Sequence, residues 1–446
     1  MSSLKLSPFS PSIRSSDAKA RADEFTYYLS RRLGLSSPLP TRQPEPLRRG
    51  SWMHRHFKSF LDPLTAADHP SNTSLTAAMN ASLDTRLREI RKACQGFGCG
   101  QTEIDLNVQT ERRDADTTLA WFVASLGVRS SKPGSPLKDG WATWLTAQGR
   151  VIATEYVLGC RTDFSPRNLI VVQPDALFFR ETDRTLWFVD LKSTSRPAGE
   201  HAQGFSIAYQ TRLTLLIARL MLPELIAHFA LPPDTTIGGV HHLVLQCPSI
   251  EFGQNDRPYR YESDGKRSGI TGIIVKGPGG WQVSCNGQPH SNPFPFEEAA
   301  VELLHSLTGK APTRTYSGEP DPALYLTRCN DWYAGRGAFA ARAVDWDASP
   351  PIQTVTTPNL TLDADAYEEC IAITTQIGKL ASRRPYPSNF PRMTPDLTSP
   401  FYDFHFLEPH IWPEACVRNR LLVLPREEPH WSASRIILEP AKDSLR

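Results

Sequence analysis

The chain has 446 residues, which is long enough for two or three domains with a substantial buried core. Hydrophobic residues make up 40% and charged residues 22%, the balance of a soluble globular protein, and the formal net charge of +2 gives no whole-chain indication of nucleic-acid binding. The 38 prolines exceed the usual share of about 5%, so we expect long irregular connections.

The eight cysteines are scattered, and only Cys94 and Cys99 lie close together in the sequence. This spacing indicates neither a disulfide framework nor a zinc site, and it favours a reduced, cytoplasmic compartment. The most apolar long stretch, residues 213–231, is interrupted by charged residues and a proline, so no membrane span is predicted. The N-terminus lacks the apolar core of a secretory signal, but residues 1–16 are Ser-rich, basic and free of acids, which leaves organellar targeting as an alternative.

The N-terminal third is predicted to be mostly helical. Residues 1–22 are dominated by Ser, Pro and charge and are expected to be disordered. Residues 23–145 form the helical region. Its predicted helices lie at about 21–35, 50–61, 78–95 and 114–127, with a Pro-rich connector at 38–46 and a Gly/Cys-rich break at 96–100.

The middle of the chain, residues 146–250, is predicted to be an α/β core. Its strand signals lie at residues 169–173, 176–179, 186–191 and 242–246, with a long amphipathic helix at about 203–221 before the last strand. Strands followed by a helix and a returning strand form such a core. Residues 251–446 are predicted to be an irregular extension that closes on the core, with helices near 296–307 and 365–380. No Walker phosphate loop occurs, so a built-in helicase motor is not expected.

The chemistry is predicted to lie on Asp175, Asp190 and Lys192. Pro174-Asp175 is followed fifteen residues later by Asp190-Leu191-Lys192. Because side chains alternate along a strand, Asp190 and Lys192 share one face with Leu186 and Phe188. Burying either charge alone would cost several kcal/mol, so the two must be paired, bound to a metal or placed at an open cleft.

Phosphodiester hydrolysis gives such a pattern a function. Two carboxylates hold a hard divalent cation such as Mg²⁺, while a lysine orients the attacking water or contacts phosphate. The alternative is an Asp–Lys salt bridge at a strand end, since the short string Asp-x-Lys occurs by chance in many proteins.

Further motifs accompany this pair in a fixed order. An aromatic helix, Phe25-Thr26-Tyr27-Tyr28-Leu29, precedes the connector, and Gly50-Ser51-Trp52-Met53-His54 follows it. In this order, along roughly residues 25–222, the sequence resembles the RecB-type branch of the PD-(D/E)XK nucleases, which includes phage exonucleases and the CRISPR-adaptation nucleases. The resemblance implies a restriction-endonuclease-like core, with His54 as an accessory metal ligand.

The resemblance also implies roles for Glu155, Leu191 and Gln210. Glu155, in Ala153-Thr154-Glu155-Tyr156-Val157, matches the acidic strand before the first catalytic Asp, and the Leu191 carbonyl is a candidate metal ligand. Gln210 matches a helix glutamine that contacts substrate or tethers the catalytic lysine. The family often has a Tyr four residues later, where this chain has Thr214, and Gln203 is an alternative one heptad earlier.

The resemblance therefore implies a Mg²⁺- or Mn²⁺-dependent deoxyribonuclease, more specifically an exonuclease, in recombination, repair or phage-type DNA processing. It leaves room for a helicase, recombinase or other DNA-processing protein as partner. Two rivals remain. One is a catalytically inactive DNA-binding or structural subunit with the same fold. The other is a virion or assembly protein with a chance Asp-x-Lys, which predicts no strand at residues 188–192 and no convergence of Asp175 with Lys192.

Basic residues are concentrated near the N-terminus. Residues 1–60 carry eleven Lys or Arg against four acids. Arg48, Arg49, Arg55 and Lys58 bracket the motif containing His54, so we expect them to contact the phosphate backbone, although a solvated basic arm would show the same composition.

No iron–sulfur cluster is expected. Some relatives hold one with an early cysteine and three late ones, and residues 389–404 resemble the late part of that region. Only Cys370 and Cys416 flank it here, and the early aromatic helix has no cysteine. A cluster requires four thiolates or equivalents, so aromatic packing is predicted in its place.

Overall fold

The computed structural model describes residues 13–14, 16–17, 23–33, 35–66, 72–129, 137–202, 204–205, 208–265, 269–277, 279–335, 351–359, 364–383, 422–423 and 435–438. The chain divides into two compact units. The first combines Met1–Pro248 with Phe339–Arg446, and the second is Ser249–Ala338. Gln203 and the 389–404 region, for which roles were considered above, lie outside the described residues.

The first unit begins with short strands and a group of helices. In chain order these elements are β1 (Ile13–Arg14), α1 (Glu24–Tyr27), β2 (Leu35–Ser36), α2 (Glu45–Leu61), α3 (Asn72–Gly96), α4 (Gln101–Leu126) and α5 (Trp141–Thr146). Helix α2 begins at Glu45, inside the predicted connector, because Pro46 occupies its first turn, where a proline's missing N–H is not needed. The segment 1–22, expected to be disordered, contributes β1, whose Ile13 is fully buried.

Helices α2 and α4 are joined by buried polar contacts as well as by apolar packing. Glu111 of α4 accepts a hydrogen bond of 3.1 Å from the indole Nε1–H of Trp52, and Thr118 lies 2.9 Å from His56 Nε2. Both residues of α4 are buried. Buried polar groups must be paired to avoid a desolvation penalty, so these contacts specify how the two helices face each other.

The strands that carry the predicted core follow. They and their helices are β3 (Arg150–Thr154), β4 (Val157–Thr162), β5 (Ser165–Val172), β6 (Ala176–Arg180), β7 (Thr185–Thr194), α6 (Ala198–Ala202), α7 (Tyr209–Leu220), α8 (Leu222–His228) and β8 (Thr236–Gln246). The helix predicted at 203–221 therefore begins at Tyr209. Gly204 and Phe205 form a turn after α6, and Ala208 is extended.

The second unit is a five-stranded antiparallel sheet with helices. Its elements are β9 (Tyr259–Gly265), β10 (Ile270–Gly277), β11 (Gly280–Cys285), β12 (Gln288–Pro289), α9 (Glu297–Thr308), β13 (Thr313–Tyr316) and α10 (Pro322–Tyr333), in the sheet order β12-β11-β10-β9-β13. Ile274, Trp281 and Val283 pack against Ala300 and Leu304 of α9. This part of the chain is more regular than the irregular extension predicted, with strands of seven, eight and six residues in β9, β10 and β11.

The last elements return to the first unit. They are β14 (Ile352–Pro358), α11 (Ala364–Ala381), β15 (Leu422–Val423) and β16 (Arg435–Leu438). In the main sheet the strand order is β14-β8-β7-β6-β3, and a smaller sheet has the order β1-β5-β4-β16. Strands β3, β6 and β7 are antiparallel neighbours, whereas β7 and β8 are parallel. The chain is thus a mixed α/β protein, which confirms the predicted fold class in this general sense.

Helix α7 connects the parallel strands β7 and β8 and covers one face of the main sheet. Leu213, Leu216 and Ile217 of α7 belong to the same buried cluster as Leu186 and Phe188 of β7. Alternation along β7 puts Asp190 and Lys192 on this same face, beyond the apolar residues. The core packing therefore aims both polar side chains at the N-terminal end of α7.

Candidate functional site

Asp175 lies directly before β6 and extends the pairing of β6 with β7. Its backbone N–H donates to the Val189 carbonyl at 2.9 Å, and its Oδ2 accepts a 2.6 Å hydrogen bond from the Leu191 N–H. In a strand, the N–H and C=O of one residue point to the same edge. The Leu191 carbonyl therefore points to the same edge of β7 as its N–H, on the side of Asp175. A backbone ligand of a cation bound at Asp175 would need this orientation.

Asp190 and Lys192 are side by side on β7. Lys192 Nζ lies 2.8 Å from Asp190 Oδ2 and 3.0 Å from Oδ1. Asp190 is buried, whereas the Lys192 side chain is 21% exposed. Burial opposes ionisation of Asp190, but the charge of Lys192 and the contact with His242 prevail and lower the pKa of the carboxyl. Asp190 is therefore ionised at neutral pH.

Gln210 occupies the first turn of α7 and bridges the pair. Its Oε1 accepts a hydrogen bond of 3.1 Å from Lys192 Nζ, and its Nε2 donates to Asp190 Oδ1 at 3.3 Å. This is the tethering geometry that the resemblance implies for Gln210. Pro174, Asp190, Gln210 and His242 line part of a small cavity of about 10 Å³.

His54 reaches the site from α2. Its Nδ1 lies 2.7 Å from Asp175 Oδ1, across 121 positions of sequence. Burial lowers the pKa of the imidazole, but the hydrogen bond and the negative charge of Asp175 outweigh burial, so the pKa of His54 is raised. The structure thus brings His54 to the first carboxylate of the predicted site.

Glu155 lies in the turn between β3 and β4 rather than within a strand. Its backbone N–H donates to the Asp175 carbonyl at 2.7 Å, and its φ of 44° is in the left-handed region that non-glycine residues rarely adopt. Burial raises the pKa of Glu155; Lys58 opposes this change and the charge of Asp175 adds to it. Glu155 is therefore near the first carboxylate, held by its backbone.

His242 is a site residue that the sequence analysis missed. It lies on β8 directly opposite Asp190 of β7, and its Nδ1 is 3.0 Å from Asp190 Oδ2. The predicted strand at 242–246 contained this histidine, but its neighbour across the sheet depends on the register of two parallel strands separated by a helix. The alternation of apolar and polar residues within one strand does not reveal that register.

Arg48 and Arg49, predicted to contact phosphate, both bind Asp114 of α4. Arg48 Nε is 2.5 Å from Asp114 Oδ2, and its Nη1 donates to the carbonyls of Pro40 and Gln43. Arg49 Nε is 3.3 Å from Asp114 Oδ1, and its guanidinium lies 5.2 Å from the centre of the Trp121 ring. These contacts give both arginines a structural role. The predicted contact of either guanidinium with phosphate would have to compete with its ion pair to Asp114.

Lys58 and Arg55 differ in whether they already pair with an acidic side chain. Lys58 Nζ pairs with Asp62 Oδ2 at 2.5 Å in an exposed contact one helical turn away. Arg55 stacks over the Trp52 ring with 4.8 Å between its Cζ and the ring centre. Within the described part of the chain, Arg55 forms no ion pair. Among the four basic residues predicted to contact phosphate, Arg55 is therefore the one that is not already paired with a carboxylate in the described part of the chain.

The donor set around Asp175 suits a hard divalent cation in type. It comprises two carboxylates, the Leu191 carbonyl and an imidazole, and oxygen ligands are those that Mg²⁺ and Mn²⁺ prefer. Among the described residues, however, no group of three or more His, Cys, Asp or Glu side chains has ligand geometry. At Asp190, Lys192, Gln210 and His242 occupy both oxygens. A cation at this carboxylate would have to displace the Lys192 amine.

In the part of the chain that the structure covers, no helix has both the length and the apolar character that a membrane crossing requires. No protein-family profile, no curated protein and no solved structure matches the chain.

Proposed function

We propose that this protein is a metal-dependent DNA nuclease of the PD-(D/E)XK class that hydrolyses phosphodiester bonds. The observation that carries the proposal is the 2.6 Å hydrogen bond from the Leu191 N–H to Asp175 Oδ2. This bond joins Asp175, the first of the two predicted catalytic carboxylates, to Leu191, which lies between Asp190 and Lys192 in the sequence. The register of β6 and β7 places residue 175 opposite residue 190 whatever its type, but a chance Asp-x-Lys gives no reason for that residue to be an aspartate.

The surrounding elements support the same function. Strands β6 and β7, helix α7 and the returning strand β8 follow one another in the order expected of the α/β core, whereas β5, predicted as its first strand, pairs in the smaller sheet. The rival of a chance motif required residues 188–192 not to form a strand, but they lie inside β7. Three further motif residues, His54, Glu155 and Gln210, come from α2, a turn and α7 and contact or adjoin the same carboxylates.

Each residue then has a chemical task. Asp175 and Asp190 would hold Mg²⁺ or Mn²⁺ together with the Leu191 carbonyl, and His54 would be an accessory ligand. When bound, the cation would stabilise the charge that develops on the phosphate and would lower the pKa of the attacking water. Lys192, once released from Asp190, would donate a hydrogen bond from its ammonium group to that water or to a phosphate oxygen. Gln210 retains the amine close to this position through its 3.1 Å hydrogen bond.

A DNA-binding subunit without catalysis is the second candidate. It is favoured by the complete pairing of Asp190, whose two oxygens are satisfied by protein donors alone. If the Lys192 amine never leaves Asp190, the cation has no place at this carboxylate. Metal binding therefore separates the two candidates before any cleavage is measured.

The experiment combines metal binding with cleavage. The full chain is heated with and without Mn²⁺ and with EDTA, and end-labelled linear and circular DNA are incubated with Mg²⁺, Mn²⁺ or EDTA. We expect thermal stabilisation by Mn²⁺ and cleavage of linear DNA that EDTA abolishes. DNA binding without either metal response would support the binding-only candidate and reject the nuclease.

A further inference from the structure

Among the described side chains that contact Asp190, His242 is the most deeply buried. It is 1% exposed, and its Nδ1 faces Asp190 Oδ2 at 3.0 Å. The other partners of Asp190 are Lys192 and Gln210, which have long side chains that are only partly buried. A buried imidazole has two rotatable bonds, so it fixes its acceptor more firmly than either of these chains can.

The far side of the ring is anchored as well. His242 Nε2 is 2.9 Å from Thr211 Oγ1, and that hydroxyl donates to the Phe205 carbonyl at 2.6 Å. The Phe205 ring stacks on the imidazole with 5.0 Å between centres and an angle of 23°. The ring is therefore held at both nitrogens and on one face, and it links Asp190 on β7 to Thr211 on α7.

This link determines which oxygen of Asp190 can change partner. Lys192 contacts both oxygens, Gln210 contacts Oδ1, and His242 contacts Oδ2. When the amine moves away, His242 still holds Oδ2 at 3.0 Å, and Oδ1 keeps only the longer 3.3 Å contact from Gln210, so Oδ1 is the oxygen more open to a cation. Without His242, Oδ2 would lack its rigid donor, and the carboxylate could rotate and keep the amine on both oxygens.

We propose that His242 is a positioning residue that orients the Asp190 carboxylate for the divalent cation and couples it to helix α7 through Thr211. This inference rests on the proposed metal-dependent activity. Hydrogen-bond partners of ligating carboxylates typically change metal affinity by about 10- to 100-fold when they are removed. A comparable loss is expected here, with DNA binding in the absence of metal left unchanged.

The test uses four variants of the full chain. His242→Phe keeps the aromatic ring and removes both nitrogens, whereas His242→Asn keeps a donor near the position of Nδ1. Thr211→Val removes the anchor behind the ring. His241→Phe is the matched control, because His241 is the neighbouring buried histidine on the opposite face of β8, stacked on Trp187 at 4.3 Å. Three quantities are measured for each: the Mn²⁺ concentration for half-maximal thermal stabilisation, the Mn²⁺ concentration for half-maximal cleavage, and DNA affinity in EDTA.

We expect His242→Phe to raise both Mn²⁺ concentrations about tenfold or more, with partial recovery in His242→Asn and a smaller rise in Thr211→Val. The control and all affinities in EDTA should match the wild type. An unchanged Mn²⁺ dependence in His242→Phe would overturn the inference. If that variant does not fold, wild-type Mn²⁺ dependence in Thr211→Val would overturn it equally. A wild type that neither binds Mn²⁺ nor cleaves DNA would instead reject the proposed function itself.

Discussion

The Leu191 backbone N–H donates a 2.6 Å hydrogen bond to Asp175 Oδ2, one rung beyond the last pair of β6 and β7. The carboxylate thus takes the place that the backbone of β6 would occupy if that strand were longer. The same contact fixes Asp175 beside Asp190 and Lys192. Asp175 is therefore expected to serve both the stability of the sheet and the chemistry of the site.

Asp175→Ala should be less stable than Asp175→Asn by about 1 to 3 kcal/mol. The asparagine oxygen can still accept the Leu191 N–H, whereas alanine leaves that buried donor without this partner. Urea unfolding of both variants measures the difference, with Asp183→Ala at an exposed turn position as control. Equal stability of the Ala and Asn variants would show that the contact contributes nothing. Both variants should lose cleavage, since neither retains the anionic ligand.

Asp190→Ala and Lys192→Ala should each abolish cleavage while DNA binding remains nearly intact. Loss of a ligand or of the orienting amine raises the transition state without altering ground-state contacts with phosphate. Single-turnover cleavage and binding in EDTA are measured together, again beside Asp183→Ala. Cleavage by either variant at more than a few per cent of the wild-type rate would mean that the chemistry lies elsewhere.

His54→Ala should weaken metal binding and slow turnover, but less than the loss of either aspartate. An imidazole supplies a lone pair, whereas a carboxylate also offsets the charge of the cation. The Mg²⁺ dependence of cleavage is the measurement. A dependence identical to that of the wild type would leave His54 with a structural role only, as the 2.7 Å partner of Asp175.

Replacement by Gln should mainly lower stability at Arg48 and should mainly weaken DNA binding at Arg55. Arg48 shares a buried ion pair with Asp114, which keeps Arg49 as a second partner, so Arg48→Gln should destabilise the protein by about 1 to 3 kcal/mol through the lost hydrogen bonds. Arg55 has no such partner in the described part of the chain, so Arg55→Gln should instead weaken DNA binding. It should flatten the log–log salt dependence of binding by up to about one unit, because one phosphate contact releases roughly one counterion.

Unfolding curves and salt titrations of both arginine variants make this comparison. The prediction for Arg55 fails if its variant keeps the wild-type salt dependence, which would favour a solvated basic arm. The prediction for Arg48 fails if its variant is as stable as the wild type.

Two buried histidines should make the protein sensitive to mild acid. Burial lowers the pKa of His56 to about 3 and that of His241 to about 4, from an ordinary value of 6.5. Because the unfolded chain takes up these protons first, the stabilising contribution is complete above about pH 6.5 and is lost as the pH falls toward 4. Each histidine contributes up to about 1.4 kcal/mol per pH unit in this interval.

His241→Phe should reduce the pH dependence of the free energy of unfolding between pH 6.5 and 4.5. Phenylalanine retains the stacking on Trp187 but has no proton to gain. His305→Phe, at an exposed position of α9, is the control for replacing a histidine by phenylalanine. A wild-type slope in His241→Phe would show that this histidine binds protons equally in the folded and unfolded chains.

The sequence alone determined what depends on neighbouring residues. Alternation along 186–192 placed Asp190 and Lys192 on one face of a strand, and the structure has them 2.8 Å apart. The strand at 176–179 and the helix at 365–380 also lie within a residue of their observed bounds. These features follow from the two-residue and 3.6-residue periods of the backbone, which act over a few residues and are visible in the order of apolar side chains.

Only the tertiary structure decided which distant groups meet. His242 reaches Asp190 through the register of two parallel strands 52 residues apart, and Arg48 is neutralised by Asp114 across 66 residues. In the sequence, Arg48 had the same appearance as Arg55, and His242 the same appearance as His241. Their roles differ because packing selects the partner of each buried polar group, and that selection depends on the whole set of contacts rather than on the residue's own neighbours.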